Sequence, residues 1–191
     1  MSSLAKTVSS PLNDFPEHQA IIGRLVIGYS DLEAELIALV GNALKIDMNV
    51  AVRLVFRARS ESQRLALSDA VLRPFYAKHA LGGAYSQFYG AIKRCKDIRN
   101  QYAHSIWHSR DTDPRFASLD PPAASKEGAA ILVFNRVDLT LLREQEEFFG
   151  YTEDVGVYLT REGRYRQDRR RKHDNVLPKA LRLPKLHNLQ D

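Results

Sequence analysis

Cysteine is almost absent from the chain, and that scarcity excludes two kinds of architecture. Among 191 residues Cys95 stands alone, so neither an internal disulfide nor a zinc site built from several thiolates can form. Long apolar runs are missing too. The opening MSSLAKTVSSPLNDFPEH carries no stretch that would serve as a secretion signal, and no later segment is continuously apolar over a bilayer's width. A Gly-rich phosphate loop is also lacking, because Gly82-Gly83 is not followed by Lys-Ser/Thr and lies in no βαβ pattern. Nor is there a Ser-centred nucleophile elbow. What remains is a single globular domain, expected in the reducing cytoplasm, with no membrane span and no cofactor.

Net basic charge is missing from most of the chain and concentrated at its end. Lys and Arg number 28 against 23 Asp and Glu, a formal +5. Ten of those basic residues and only four acids fall between Arg161 and Asp191, leaving 18 and 19 in positions 1–160. The body is nearly neutral, and the tail is the part suited to touch a polyanion.

Positions 1–15, rich in Ser, Pro and Asn, read as a flexible leader. From Pro16 the apolar residues Ile21, Leu25, Tyr29, Leu32, Leu36 and Val40 recur at steps of three and four, predicting a helix of roughly 25 residues that stops near Gly41-Asn42. Asp47 is placed to cap a second helix reaching about Ala58, and Ser60-x-x-Gln63 resembles a capping box for a third, with Pro74 as its kink or end. After Gly82-Gly83 a fourth helix is predicted from Ala84 to about Trp107. The character then changes: residues 109–129 hold three prolines, and AAILVFNRV at 129–137 is β-rich. A loop and small hairpin are expected at about 109–137, with a short strand near Arg115–Leu119. Asp138 or Thr140 caps a last helix bearing Leu141, Leu142, Phe148, Phe149, Val155 and Tyr158. The organisation is a leader (1–15), a helical domain (16–162) and a basic, extended tail (163–191). The fold class is mainly α: an antiparallel helical bundle with a small β-hairpin insertion before the last helix.

The fourth helix carries the chemistry. Advancing about 100° per residue from Phe88 places Ile92, Cys95, Tyr102 and Ile106 on one apolar seam. Arg99 falls in the middle of that seam. A guanidinium stays charged at any accessible pH, so it needs an anionic or well-hydrogen-bonded partner there. Either a carboxylate such as Glu33 or Glu35 meets it, or the seam opens into a polar cleft or subunit interface. Asn100 and His104, four apart, share an edge of the helix, with Lys96 and Trp107 on the same flank. Arg, amide and imidazole together suit a phosphodiester: Arg binds phosphate in bidentate fashion, His moves a proton near neutral pH, and Asn orients either. An arginine at a core position also commonly closes a purely structural ion pair, and spacing alone does not separate the two readings. A metal site at His104 and His108 with Asp111 or Asp113 is disfavoured, since Ser105 stands where the zincin pattern has Glu. Phe88, Tyr102 and Cys95 read as core, and Glu144, Glu146 and Glu147 as a solvated face.

The run Ile98-Arg99-Asn100-Gln101-Tyr102-Ala103-His104-Ser105-Ile106-Trp107 resembles the signature of the HEPN (higher eukaryotes and prokaryotes nucleotide-binding) superfamily. Its pattern is Arg, a polar residue that is frequently Asn, a short gap and His, near the end of a long helix in an all-α bundle. The resemblance implies a metal-independent endoribonuclease of a toxin–antitoxin or defence system, working as a homodimer on RNA and held by an antitoxin or regulatory protein. His104 would transfer the proton for attack of a 2′-hydroxyl on its neighbouring phosphate, Arg99 would stabilise the phosphate charge and Asn100 would position either. Lys96, Trp107 and His108 are the substrate-contact candidates beside them. The alternative within the same resemblance is a non-catalytic helical module that recognises a nucleotide, RNA or protein. The tail then serves as an electrostatic arm for RNA, or docks on the neighbouring subunit through Leu177, Leu181 and Leu183.

Overall fold

Helix α1 (Pro16–Leu44) buries the stripe its periodicity marks, from Ile21 and Leu25 through Tyr29, Leu32 and Leu36 to Val40. The computed structural model describes residues 10–110, 113–118, 134–168 and 174–187. At 29 residues α1 passes through Gly41-Asn42 instead of stopping there. Gly41 lies against the elements that follow: a Cβ at this position would make ordinary van der Waals contact, 3.5 Å from both the Ala51 Cβ and the Ile46 carbonyl. The helix ends at Lys45, which takes the left-handed conformation at φ 56°.

Helix α2 (Met48–Val55) starts where Asp47 Oδ1 accepts the Asn49 N–H at 2.8 Å, and ends short of Ala58. Helix α3 (Glu61–Lys78) opens on the expected reciprocal cap between Ser60 and Gln63. Pro74 lies inside it on the exposed side; buried Leu72 and Tyr76 hold the turn on either side of the missing hydrogen bond. Helix α4 (Gly82–Ala103) follows after a turn at Ala80, and α5 (Leu139–Asp168) starts where Asp138 Oδ1 accepts the Thr140 N–H at 2.8 Å. Helix α5 continues through Gly163, whose missing side chain admits the Tyr76 ring.

The two longest helices run in the same direction. Glu17 meets Arg143, Arg24 meets Glu146, Glu35 meets Thr160 and Lys45 meets Asp168, a nearly constant offset along both chains. Helix α4 runs against α5, with Cys95 beside Thr152 and Tyr102 beside Gln145. At Gly156 α5 packs tightly on both α1 and α4, since a Cβ there would lie 2.9 Å from Glu35 Cγ and 3.1 Å from Phe88 Cε2. Among the described residues, no helix is long and apolar enough to cross a membrane.

A three-stranded antiparallel sheet separates α4 from α5, in the order β1 (Ser105–Arg110), β2 (Asp113–Ser118), β3 (Asn135–Arg136). Helix α4 therefore ends four residues before the expected Trp107. Pairing of Trp107 with Phe116 in the β1–β2 register buries Phe116 completely, a gain one more helical turn would forfeit. The hairpin lies at 105–118, and within 129–137 only residues from 134 are among those described, with Asn135–Arg136 as the third strand.

Residues 174–187 form neither helix nor strand and return across α4 and α5 of their own chain. Leu177 and Leu186 rest on the core, whereas Leu181 and Leu183 are exposed. The expected leader falls largely in residues 1–9, outside the described residues, as do 169–173 of the basic cluster.

Candidate nucleic-acid site at the end of helix α4

Arg99 sits on the penultimate turn of α4, where the apolar seam made of Phe88, Ile92, Cys95 and Tyr102 is buried as expected. The last expected member, Ile106, has left the helix and is partly exposed on β1. The guanidinium is answered by Glu61, in the first turn of α3, which pairs with one of its terminal nitrogens. Its carbon also lies 4.7 Å from the centre of the Tyr29 ring. The two charged side chains keep 14% and 24% of their exposure, so the pair lies at the rim of the core.

Neither expected carboxylate takes this role. Glu33 accepts from Arg64 Nε at 2.6 Å, with Arg64 also 4.9 Å from the Phe56 ring centre, and Glu35 accepts the Thr160 hydroxyl at 2.6 Å. Tyr29 lies beneath this cluster. Burial pushes its hydroxyl pKa well above the usual range and Glu33 adds to that, while Arg99 and Arg64 partly offset it. Tyr29 is therefore a neutral platform for the guanidinium.

Glu61 was not singled out by sequence reasoning, yet a signal existed. Helices α3 and α4 form a hairpin about Ala80, and Glu61 and Arg99 each lie nineteen residues from it. Positions equidistant from a tight helical turn face one another.

Asn100 is half-buried, and its Oδ1 is buried without a hydrogen-bond partner. Its backbone carbonyl accepts the His104 N–H at 3.4 Å. His104 is the residue that closes the helix, and its side chain is exposed. Lys96, one turn before Asn100, lies 3.5 Å from the Asp97 carboxylate with most of its stem covered. Arg99, Asn100, His104 and Lys96 are thus gathered near one helix end. Trp107 and His108 are not on that flank, since both belong to β1 and alternate across its faces. Trp107 packs on Tyr102 and Phe116 at ring separations of 6.2 and 5.6 Å, and His108 turns towards Phe134 at 5.6 Å.

Chemically, the exposed His104 ring is open to approach from outside, whereas the Asn100 Oδ1 lies below the surface. A guanidinium has five N–H groups, more than one carboxylate can use. Cys95 takes no part: burial pushes its thiol up to about 12, and its Sγ lies 3.4 Å from the Thr152 hydroxyl in the core. Clefts of about 540 and 490 Å³ are lined by other residues, the first by α5 and the returning C-terminal segment, the second by the far ends of α1 and α5.

Comparison with protein-family models, with curated proteins and with solved structures finds no match. The reading of this corner rests on its own geometry and on the resemblance of its residues.

Proposed function

We propose that the chain is a metal-independent endoribonuclease of the HEPN type, the effector of a toxin–antitoxin or defence system, acting as a homodimer. The observation that carries this reading is the placement of Arg99, Asn100 and the exposed His104 within the last turns and cap of α4. In the mechanism, His104 takes the 2′-hydroxyl proton as that oxygen attacks the adjacent phosphorus, the P–O5′ bond breaks and the departing O5′ takes a proton from solvent water. The products are a 2′,3′-cyclic phosphate and a 5′-hydroxyl end. Arg99 holds the charge that develops on the phosphate, and Asn100 positions His104 or the phosphate. Glu61 stands on Arg99 in the free chain, so a phosphate must share or displace that carboxylate before the arginine serves.

A second reading is favoured by the same contact. A guanidinium that is paired with Glu61 and stacked on Tyr29 has its charge answered without substrate. On this reading the bundle is a non-catalytic module that binds a nucleotide, RNA or protein.

Incubation of single-stranded and structured RNA with the purified chain in EDTA separates the two. The nuclease reading expects chelator-resistant cleavage with cyclic-phosphate ends, lost in His104→Ala and Arg99→Ala while the helical circular dichroism is retained. It also expects growth arrest when the chain is expressed without its partner. Cleavage unchanged by His104→Ala removes that residue from the mechanism, and absence of cleavage and of growth arrest moves the assignment to the binding module.

A further inference from the structure

The segment that returns over α4 and α5 is held as a peptide ligand is held. Gln87, Arg94 and Gln101 lie seven residues apart, and two helical turns bring each back to nearly the same side of α4. All three read backbone carbonyls of the segment. Gln87 Nε2 donates to Pro178 O at 3.3 Å, Arg94 donates through Nε and a terminal nitrogen to Pro184 O at 2.8 and 2.5 Å, and Gln101 Nε2 donates to His187 O at 2.6 Å. Gln101 Oε1 accepts the His187 N–H in return at 3.1 Å, and from α5 Gln145 Nε2 donates to Lys185 O at 2.8 Å. Backbone recognition by side-chain donors is the chemistry of a groove that takes an extended peptide.

Spacing locates the recognised unit. Seven helical residues rise about 10 Å, which three extended residues also cover. Pro184 to His187 therefore runs in step with Arg94 to Gln101. Within it Pro184 and His187 are buried and Leu186 rests on the core. Between Pro178 and Pro184 the chain is too long for the same helical interval. Residues 179–183 bow outward and are exposed, and the 540 Å³ cleft lies between this bow and α5.

We infer that the α4–α5 face between Arg94 and Gln101 is a peptide-binding groove for an extended Pro-Lys-Leu-His segment, filled by residues 184–187 of the same chain and equally able to take that segment from a second copy. Tethering gives the segment in its own chain an effective concentration on the order of millimolar, so exchange is seen when that competitor is disabled.

Complementation between two full-length variants tests this. One, Arg94→Ala with Gln101→Ala, has a disabled groove and an intact segment and carries a fluorophore. The other, Leu186→Asp with His187→Ala, has an intact groove and a disabled segment. The expected result is a rise in anisotropy on mixing at concentrations up to about 0.1 mM, with affinity at least about tenfold tighter than for a control chain bearing all four substitutions. An association through any other surface moves both titrations equally, and equal titrations overturn the inference. Leu186→Asp alone, which leaves the His187 hydrogen bonds in place, serves as the second version of the segment-disabled chain. If both versions lose the helical circular dichroism, the segment is an integral part of the fold and the inference also falls.

Discussion

His187 accepts the backbone N–H of Asp138 through Nε2 at 3.0 Å, and this contact holds the buried ring in its neutral form. Its Nδ1 lies 3.0 Å from the Tyr102 hydroxyl, which itself donates to Gln145 Oε1 at 2.5 Å, so the remaining ring proton sits on Nδ1. A proton added at Nε2 would confront the Asp138 N–H.

Burial therefore lowers the His187 pKa to about 4 from the ordinary 6.5, with Asp138 pulling it weakly upward. As pH falls below 6.5 the unfolded chain takes up the proton first, so the folded state loses stability between pH 6.5 and about 4. The loss from this group amounts to roughly 3 kcal/mol across that window. Urea unfolding at pH 7 and pH 4.5 checks it: His187→Gln is expected to be less stable at pH 7 but to show a shallower decline towards pH 4.5. An equal decline in both proteins would assign the pH dependence to other groups.

Tyr102 links two strangers in the chain, Gln145 on α5 and His187 on the returning segment. Tyr102→Phe keeps the ring packing against Phe116 and Trp107 but leaves both polar partners with an unmet bond. A loss of about 1–3 kcal/mol is expected. The urea midpoint should fall with an unchanged slope.

Glu61→Gln removes the charge facing Arg99 without removing its volume. For a pair at the rim of the core the cost should fall between an exposed and a buried one, about 1–2 kcal/mol. Arg99→Gln in the Glu61→Gln background should cost less than it does alone, and a double-mutant cycle measures that coupling. The nuclease reading adds tighter binding of a short RNA by Glu61→Gln, because the arginine is uncovered. RNA affinity that does not move leaves the pair with a structural role.

Glycine positions separate crowding from conformational entropy. Gly156→Ala drives a methyl group against Glu35 and the buried Phe88 ring, and about 1–3 kcal/mol should be lost. At Gly90, exposed on α4, a Cβ meets nothing within 4 Å, and Gly90→Ala should gain about 0.5–1 kcal/mol. Thermal unfolding of the two variants should shift in opposite directions.

Much of the fold was legible because its signals are local. The α1 stripe from Ile21 to Val40, the Ser60/Gln63 box and the Asp47 and Asp138 caps all act within four residues. Gly41 and Gly163 misled in the same direction. Each lies inside its helix, and at Gly163 the missing side chain admits the Tyr76 ring of a distant element. The end of α4 at Ala103 was likewise hidden, because the competing gain comes from pairing Trp107 with Phe116. Of the candidate site, Arg99, Asn100 and His104 are together because neighbours on a helix must be. Trp107 and His108 were placed with them only by extending that helix too far.

The order of residues alone determined which stretches would be helical, where most of them would start, and that a charge at Arg99 had to be answered. Tertiary structure decided who answers it, Glu61 rather than Glu33 or Glu35, and turned residues 174–187 back onto their own chain. The physical reason is the range of the forces involved. Periodicity and capping are satisfied within a turn or two of helix, whereas the partners of Arg99 and Tyr102 lie 38 and 85 positions away and exist only once the helices have packed.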